Sequence, residues 1–166
     1  MIKIWTDGSC KNNGKKETRG GWSAILVNED NNEYIIQYGY EGNTTNNRME
    51  LLAAAEALDY VKEHFKNEGV ILFTDSAYLC NCYKSQWHKA WLKNGWKTSN
   101  KKPVKNRDLW ERIIPFFDCK EIKIEKVKGH ADNKLNNLVD EVAQTCAEEG
   151  EDFNVEYYNS ILQRLF

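Results

Sequence analysis

No stretch of this chain approaches the run of about 20 apolar residues that a helix needs to cross a bilayer. Met1-Ile2-Lys3-Ile4-Trp5 leads straight into an apparent strand, without the charged start and apolar middle of a signal peptide. These absences predict a soluble, cytoplasmic protein with no membrane partner. Paired cysteines are lacking as well. Cys10, Cys80, Cys82, Cys119 and Cys146 are odd in number and scattered, and none shows C-x-x-C spacing. That argues against a zinc site or a redox motif and favours free thiols in a reducing compartment. No internal repeat is found, which removes repeat architectures from consideration. The last absence is local. Between Ser76 and Arg107 there is no Asp or Glu, while Lys84, Lys89, Lys93, Lys97, Lys101, Lys102, Lys105 and Arg107 give that segment a charge of +8. Because the whole chain is at −2, the remainder carries −10, so an acidic body bears one strongly basic segment. Such polarity suits electrostatic docking of a polyanion.

With 166 residues and 41% hydrophobic content the chain can build one domain with its own core. Alternation predicts strands at residues 2–7, 22–27 and 34–40, with Asn28-Glu29-Asp30-Asn31-Asn32 turning the chain between the last two. Short connections favour an antiparallel meander. Leu51, Ala54, Leu58, Val61 and Phe65 recur at helical spacing over 45–65. The run Val70-Ile71-Leu72-Phe73 then reads as a strand buried on both faces, with Ser76 capping a helix after it. A helix over 107–114 stopped by Pro115, a strand over 121–127 and a helix from about Leu135 to Gly150 complete the order. The pattern predicts an α/β fold: a five-stranded mixed sheet, three antiparallel strands followed by parallel crossovers, flanked by helices. The expected division is a domain over 1–150, with a basic protrusion at about 84–107, and a tail over 151–166. In the tail Phe153, Tyr157, Ile161, Leu162 and Leu165 suit an amphipathic helix that could dock on the body or meet a partner.

Four acids stand where buried or half-buried positions are expected: Asp7 after Ile2–Thr6, Glu50 at the start of a helix, Asp75 after Val70–Thr74, and Asp140 within the last long helix. Each has an ordinary explanation. Asp7 and Asp75 could cap a turn or helix, Glu50 stands three residues after Asn47 at capping-box spacing, and Asp140 could be a solvated helix acid. If they converge, unpaired burial would be costly enough to demand divalent cations, and hard-metal sites of this kind carry out phosphoryl chemistry. Asp7 and Asp75 would then emerge together at the carboxyl edge of parallel neighbours, where open α/β sheets take ligands.

Six ordered segments bear on that choice. Thr6-Asp7-Gly8-Ser9-Cys10, Thr44-Thr45-Asn46-Asn47-Arg48-Met49-Glu50-Leu51, Thr74-Asp75-Ser76, and Val127-Lys128-Gly129-His130-Ala131 followed by Asp140 resemble type 1 ribonuclease H. Gly95-Trp96-Lys97-Thr98 and the stretch from Lys101 to Trp110 resemble the basic protrusion of the same family, and the likeness runs from Ile2 to about Ala147. The resemblance implies a ribonuclease H-like fold and an endonuclease that cuts the RNA strand of RNA–DNA hybrids with two Mg²⁺ ions, Mn²⁺ being a substitute. It implies Asp7, Glu50, Asp75 and Asp140 as metal ligands and His130 as a mobile histidine that aids proton transfer or product release. It also implies that Cys10, Asn13, Asn46 and Asn47 meet the strands across the minor groove, and that Thr45 and Asn106 hold a DNA phosphate. Trp87, Trp96 and Lys97 are expected at the substrate too, through stacking and charge, while Trp91 suits the protrusion's own core. A monomer is expected. Two other readings are a hybrid-binding module without catalysis and an exonuclease with a similar acid set.

Overall fold

Side chains alternate across a strand, so the first strands split the core into two layers. The computed structural model describes residues 1–12, 17–127 and 133–166. Strands β1 (Ile2–Lys11), β2 (Arg19–Asn28) and β3 (Glu33–Gly42) form an antiparallel meander. Asn28 and Asn31 make its second turn, their Oδ1 atoms accepting from the N–H groups of Asp30 and Glu33, each at 3.0 Å. Helix α1 (Asn46–His64) crosses over to β4 (Val70–Thr74), which runs parallel to β1, and β5 (Ile122–Lys126) runs parallel to β4. The sheet order is β3-β2-β1-β4-β5, the five-stranded mixed sheet expected from the pattern. Helices α2 (Ala77–Ser85), α3 (Trp87–Asn94) and α4 (Arg107–Ile113) lie between β4 and β5, and α5 (Lys134–Glu149) and α6 (Glu156–Leu165) follow.

Ile2, Ile4, Ala24, Leu26 and Leu72 turn to one face and pack with Leu51, Ala54, Ala55 and Leu58 of α1. Ile25 and Val27 turn to the other and meet Leu138, Val139, Val142 and Cys146 of α5. The tail docks there: Tyr158 and Leu162 of α6 are buried in that second layer.

Two expectations change. The first three strands run several residues beyond the alternating segments, so Asp7 lies inside β1 rather than at its end. Glycines, which disfavour strands, interrupt the hydrophobic signal there, but the ladder continues because two helices need those glycines for close approach. A Cβ on Gly8 would fall on the backbone of Met49 and Glu50 in α1, and one on Gly21 would fall on the backbone of Ala143 and Ala147 in α5. Strand β4 is fully buried on one face only, with Ile71 and Phe73 half-buried, because α5 lies over β1 and β2.

Candidate metal centre and adjoining groove

Register brings the first two acids together. The parallel ladder between β1 and β4 ends at Trp5 opposite Phe73, whose rings stack 5.3 Å apart. Asp7 and Asp75 each come two residues later, so alternation returns both to the face those rings occupy. Strand β1 continues along β2 while β4 stops, and the sheet opens beside Asp7. Glu50 arrives from α1, which the absence of a side chain at Gly8 lets sit directly against β1. Carboxylate oxygens of Asp7, Glu50 and Asp75 all lie within 4.8 Å of one another, in an order from buried to half-buried to exposed.

Glu50 is not a capping glutamate. The N-cap of α1 is Thr45, whose Oγ1 accepts from Arg48 N at 3.1 Å, so the Asn47–Glu50 spacing falls two residues too deep for a capping box. Ser76 is the α2 cap as expected, its Oγ accepting from Leu79 N at 3.1 Å. The Ser76 side chain also lowers the Glu50 pKa, and thus couples the start of α2 to the acid on α1.

Crowding of acids shows in their protonation. Burial, then a hydrogen bond shared with Asp140, then the charges of Asp75 and Asp140 push Asp7 from 3.8 up to about 9. The Gly8 N–H, donating to Asp7 Oδ1 at 2.9 Å, opposes this only in part. Glu50 is also raised, first by burial, with Ser76 pulling it back and Asp75 adding to the rise. Without a cation Asp7 therefore keeps a proton near neutrality, and its carboxyl group donates to Asp140 of α5. Asp140 lies beside Asp7 but outside the trio, its Oδ1 also accepting from Gln144 Nε2 at 3.0 Å. An all-oxygen set that must otherwise hold a proton fits a hard divalent cation, which replaces the proton with a larger charge.

A groove of about 1060 Å³ begins near α1 and runs under the basic segment. Thr45, Asn46 and Asn47 form one wall, Lys105 and Asn106 another, and Tyr78, Trp87, Lys97 and Lys102 line it farther out. The segment from Lys97 to Pro103 is a tight hairpin, bridged at those two residues and closed by Thr98 N–H donating to Lys102 O at 2.7 Å.

A family model described as RNase H matches residues 1–148. The chain is 47% identical over 148 residues to the ribonuclease H of Chlorobaculum parvum, covering 89% of this chain and 96% of that one. It is 45% identical over 148 residues to the ribonuclease H of Caldicellulosiruptor saccharolyticus, covering 89% and 97%. Among solved structures it is similar to LC9-RNase H1, a type 1 RNase H with the type 2 active-site motif, at a TM-score of 0.70 and 26% identity over 89% of this chain and 72% of that one. The chain belongs to the ribonuclease H family. Membership in that family supports use of a divalent metal, for which the acid cluster is the candidate place, and the family match covers the fold from β1 through most of α5.

Measured against the ribonuclease H resemblance, the remaining positions divide. Thr45, Asn46, Asn47, Trp87, Lys97 and Asn106 all line the groove. Cys10 is half-buried near the end of β1, with Sγ 3.5 Å from Thr44 O. Trp96 does not face the groove: it is buried, stacked on Trp91 at 5.7 Å with the Arg107 guanidinium 4.9 Å over its other side. A tryptophan rich in apolar surface was drawn into the protrusion's core, the fate expected only for Trp91. Asn13 and His130 lie outside the described residues. Arg48 and Asp108, which no motif assigned a role, join α1 to α4 as a two-pronged ion pair at 3.0 and 2.8 Å. Their residue types carried no signal, since a pair 60 positions apart shows only after folding.

Proposed function

We infer that this ribonuclease H hydrolyses the RNA strand of RNA–DNA hybrids as an endonuclease, with little sequence preference. The carrying observation is the carboxylate trio, whose Glu50 stands on the same helix, α1, that starts one wall of a basic, amide-lined groove at Asn46 and Asn47. Asp7, Glu50, Asp75 and Asp140 hold two Mg²⁺ ions, or Mn²⁺ in their place, since the donors are all oxygens. When bound, such ions supply activation of the attacking water and stabilisation of the departing 3′ oxygen, so that the products are a 5′-phosphate and a 3′-hydroxyl.

The chain's own residues bind and orient. Lys97, Lys102 and Lys105 neutralise phosphates along the groove, and Trp87, partly exposed there, offers a ring face to a sugar or base. Asn46, Asn47, Cys10 and Asn13 meet the minor groove, where amide groups can both donate to and accept from 2′-hydroxyls. Thr45 and Asn106 hold a DNA phosphate. Phosphate contacts position the duplex and its shape selects it, so bases need not be read. His130 moves a proton at the leaving group or helps release product. All five cysteines are free, which suits the reducing cytoplasm, where the protein acts as a monomer.

A labelled hybrid with both ends blocked, incubated with Mg²⁺ beside duplex RNA and duplex DNA, tests this. Internal cuts confined to the RNA of the hybrid are expected. Cleavage only from free ends would point to an exonuclease, and binding without product to a non-catalytic module.

A further inference from the structure

Arg48 sits in the first turn of α1, directly after Thr45–Asn47 of one groove wall, and its side chain reaches Asn106 of the other. A cation beside a polyanion groove would ordinarily bind phosphate. Here its donors are already engaged. The guanidinium forks onto both oxygens of Asp108, Nη1 also donates to Asn106 Oδ1 at 3.4 Å, and Nε lies 3.3 Å from Glu41 Oε2. Glu41 in turn accepts from Thr44 Oγ1 at 3.2 Å. Two carboxylates thus more than neutralise the arginine, and they bind it to β3 and to the start of α4.

The contact with Asn106 decides an orientation. Asn106 occupies the N-cap of α4 with a left-handed backbone (φ 59°), yet its side chain makes no cap hydrogen bond. Its oxygen is taken by Arg48 instead. Because a guanidinium has no acceptor, Oδ1 must face Arg48, and the two amide hydrogens of Asn106 are left for the groove. A phosphate needs donors there.

We propose that Arg48, clamped by Asp108 and Glu41, is a positioning residue for hybrid binding: it turns the donor end of Asn106 into the groove and ties the α1 wall to the α4 wall without touching phosphate. The proposal rests on the groove being the seat of the hybrid. It separates from simple electrostatics by sign. Asp108→Asn removes a negative charge from the rim, so charge alone would tighten binding of a polyanion. Loss of positioning weakens it.

The test measures KM, kcat, the salt dependence of KM and the thermal midpoint for Asp108→Asn, Asp108→Glu, Arg48→Lys and Arg48→Ala, each alone and combined with Asn106→Ala. In Asp108→Asn and Arg48→Lys a KM increase of about 5- to 10-fold is expected, with kcat within about two-fold and the salt slope unchanged. Asp108→Glu, which keeps a fork acceptor, should recover most of the loss. In the Asn106→Ala background the same substitutions should add little, the signature of two residues acting as one unit. A fall in KM, an undiminished effect without the Asn106 side chain, or a loss confined to kcat would each overturn the proposal. So would a salt slope reduced by about one phosphate in Arg48→Ala, which would make the arginine a direct ligand. Failure of the unaltered protein to cleave hybrid would instead overturn the functional reading on which this one stands.

Discussion

At the scale of single residues, the acid cluster is costly until a cation arrives. A carboxyl group raised from 3.8 to about 9 favours the folded state while protonated, so that contribution is complete below about pH 4 and is lost as pH rises toward 9. Asp7→Asn removes the loss. Metal-free Asp7→Asn should therefore be more stable than the unaltered protein at pH 8, by about 1–3 kcal/mol in urea titrations, while cleavage disappears. Mg²⁺ binding should expel the Asp7 proton, and calorimetry in buffers of different ionisation enthalpy should detect up to about one proton released per site at pH 7. Retained Mg²⁺-dependent turnover in Asp7→Asn would contradict the site. His130→Ala should lower kcat by about 10²-fold, the ordinary scale for losing a general acid or base, with Mg²⁺ affinity unchanged.

At the scale of elements, the site is assembled by what lets helices come close. Gly8 admits α1, Gly21 admits α5, and the Thr45 cap fixes where α1 begins, so that Glu50 faces the acids rather than the helix end. Helix α6 supports this arrangement from behind. Leu162 is fully buried, and the Tyr158 hydroxyl lies 3.0 Å from Thr145 Oγ1 on α5, the helix that carries Asp140. Leu162→Ala should cost about 2–5 kcal/mol by thermal or urea denaturation, the range for a cavity in a packed core. These element positions were readable in outline: the caps at Ser76 and the turn at Asn28–Asn32 appear in the sequence because capping and turn chemistry are local. The inner ends of β1 and β2 were not, since pairing with neighbours outweighs the weak strand propensity of Gly8, Gly20 and Gly21.

At the scale of the whole molecule, charge is divided between an acidic body and a basic protrusion. The hairpin from Lys97 to Pro103 holds that charge in fixed geometry along the groove, and Lys97 and Lys102 line it. Replacing Lys97, Lys101 and Lys102 with glutamate should raise KM for hybrid and flatten the slope of log KM against log salt by about two to three units. An unchanged slope would take the protrusion out of the substrate's path. The segment's charge was plain from composition, but which aromatics face outward was not: Trp87 lines the groove, whereas Trp96 closes a core with Trp91 and Trp110.

The sequence alone determined the order of strands and helices, the acidic and basic division of the chain, and the four acids, because periodicity, composition and a spaced motif are properties of the chain itself. Only the tertiary structure decided that Asp7, Glu50 and Asp75 share one small volume, that Glu50 is not a cap, and that Arg48 is neutralised by Asp108 and Glu41. These depend on ladder register and on how near a helix can approach a strand. Contacts such as Asp7–Glu50, Asp7–Asp75 and Arg48–Asp108, between residues far apart in the chain, are made by packing, which no local rule of spacing contains.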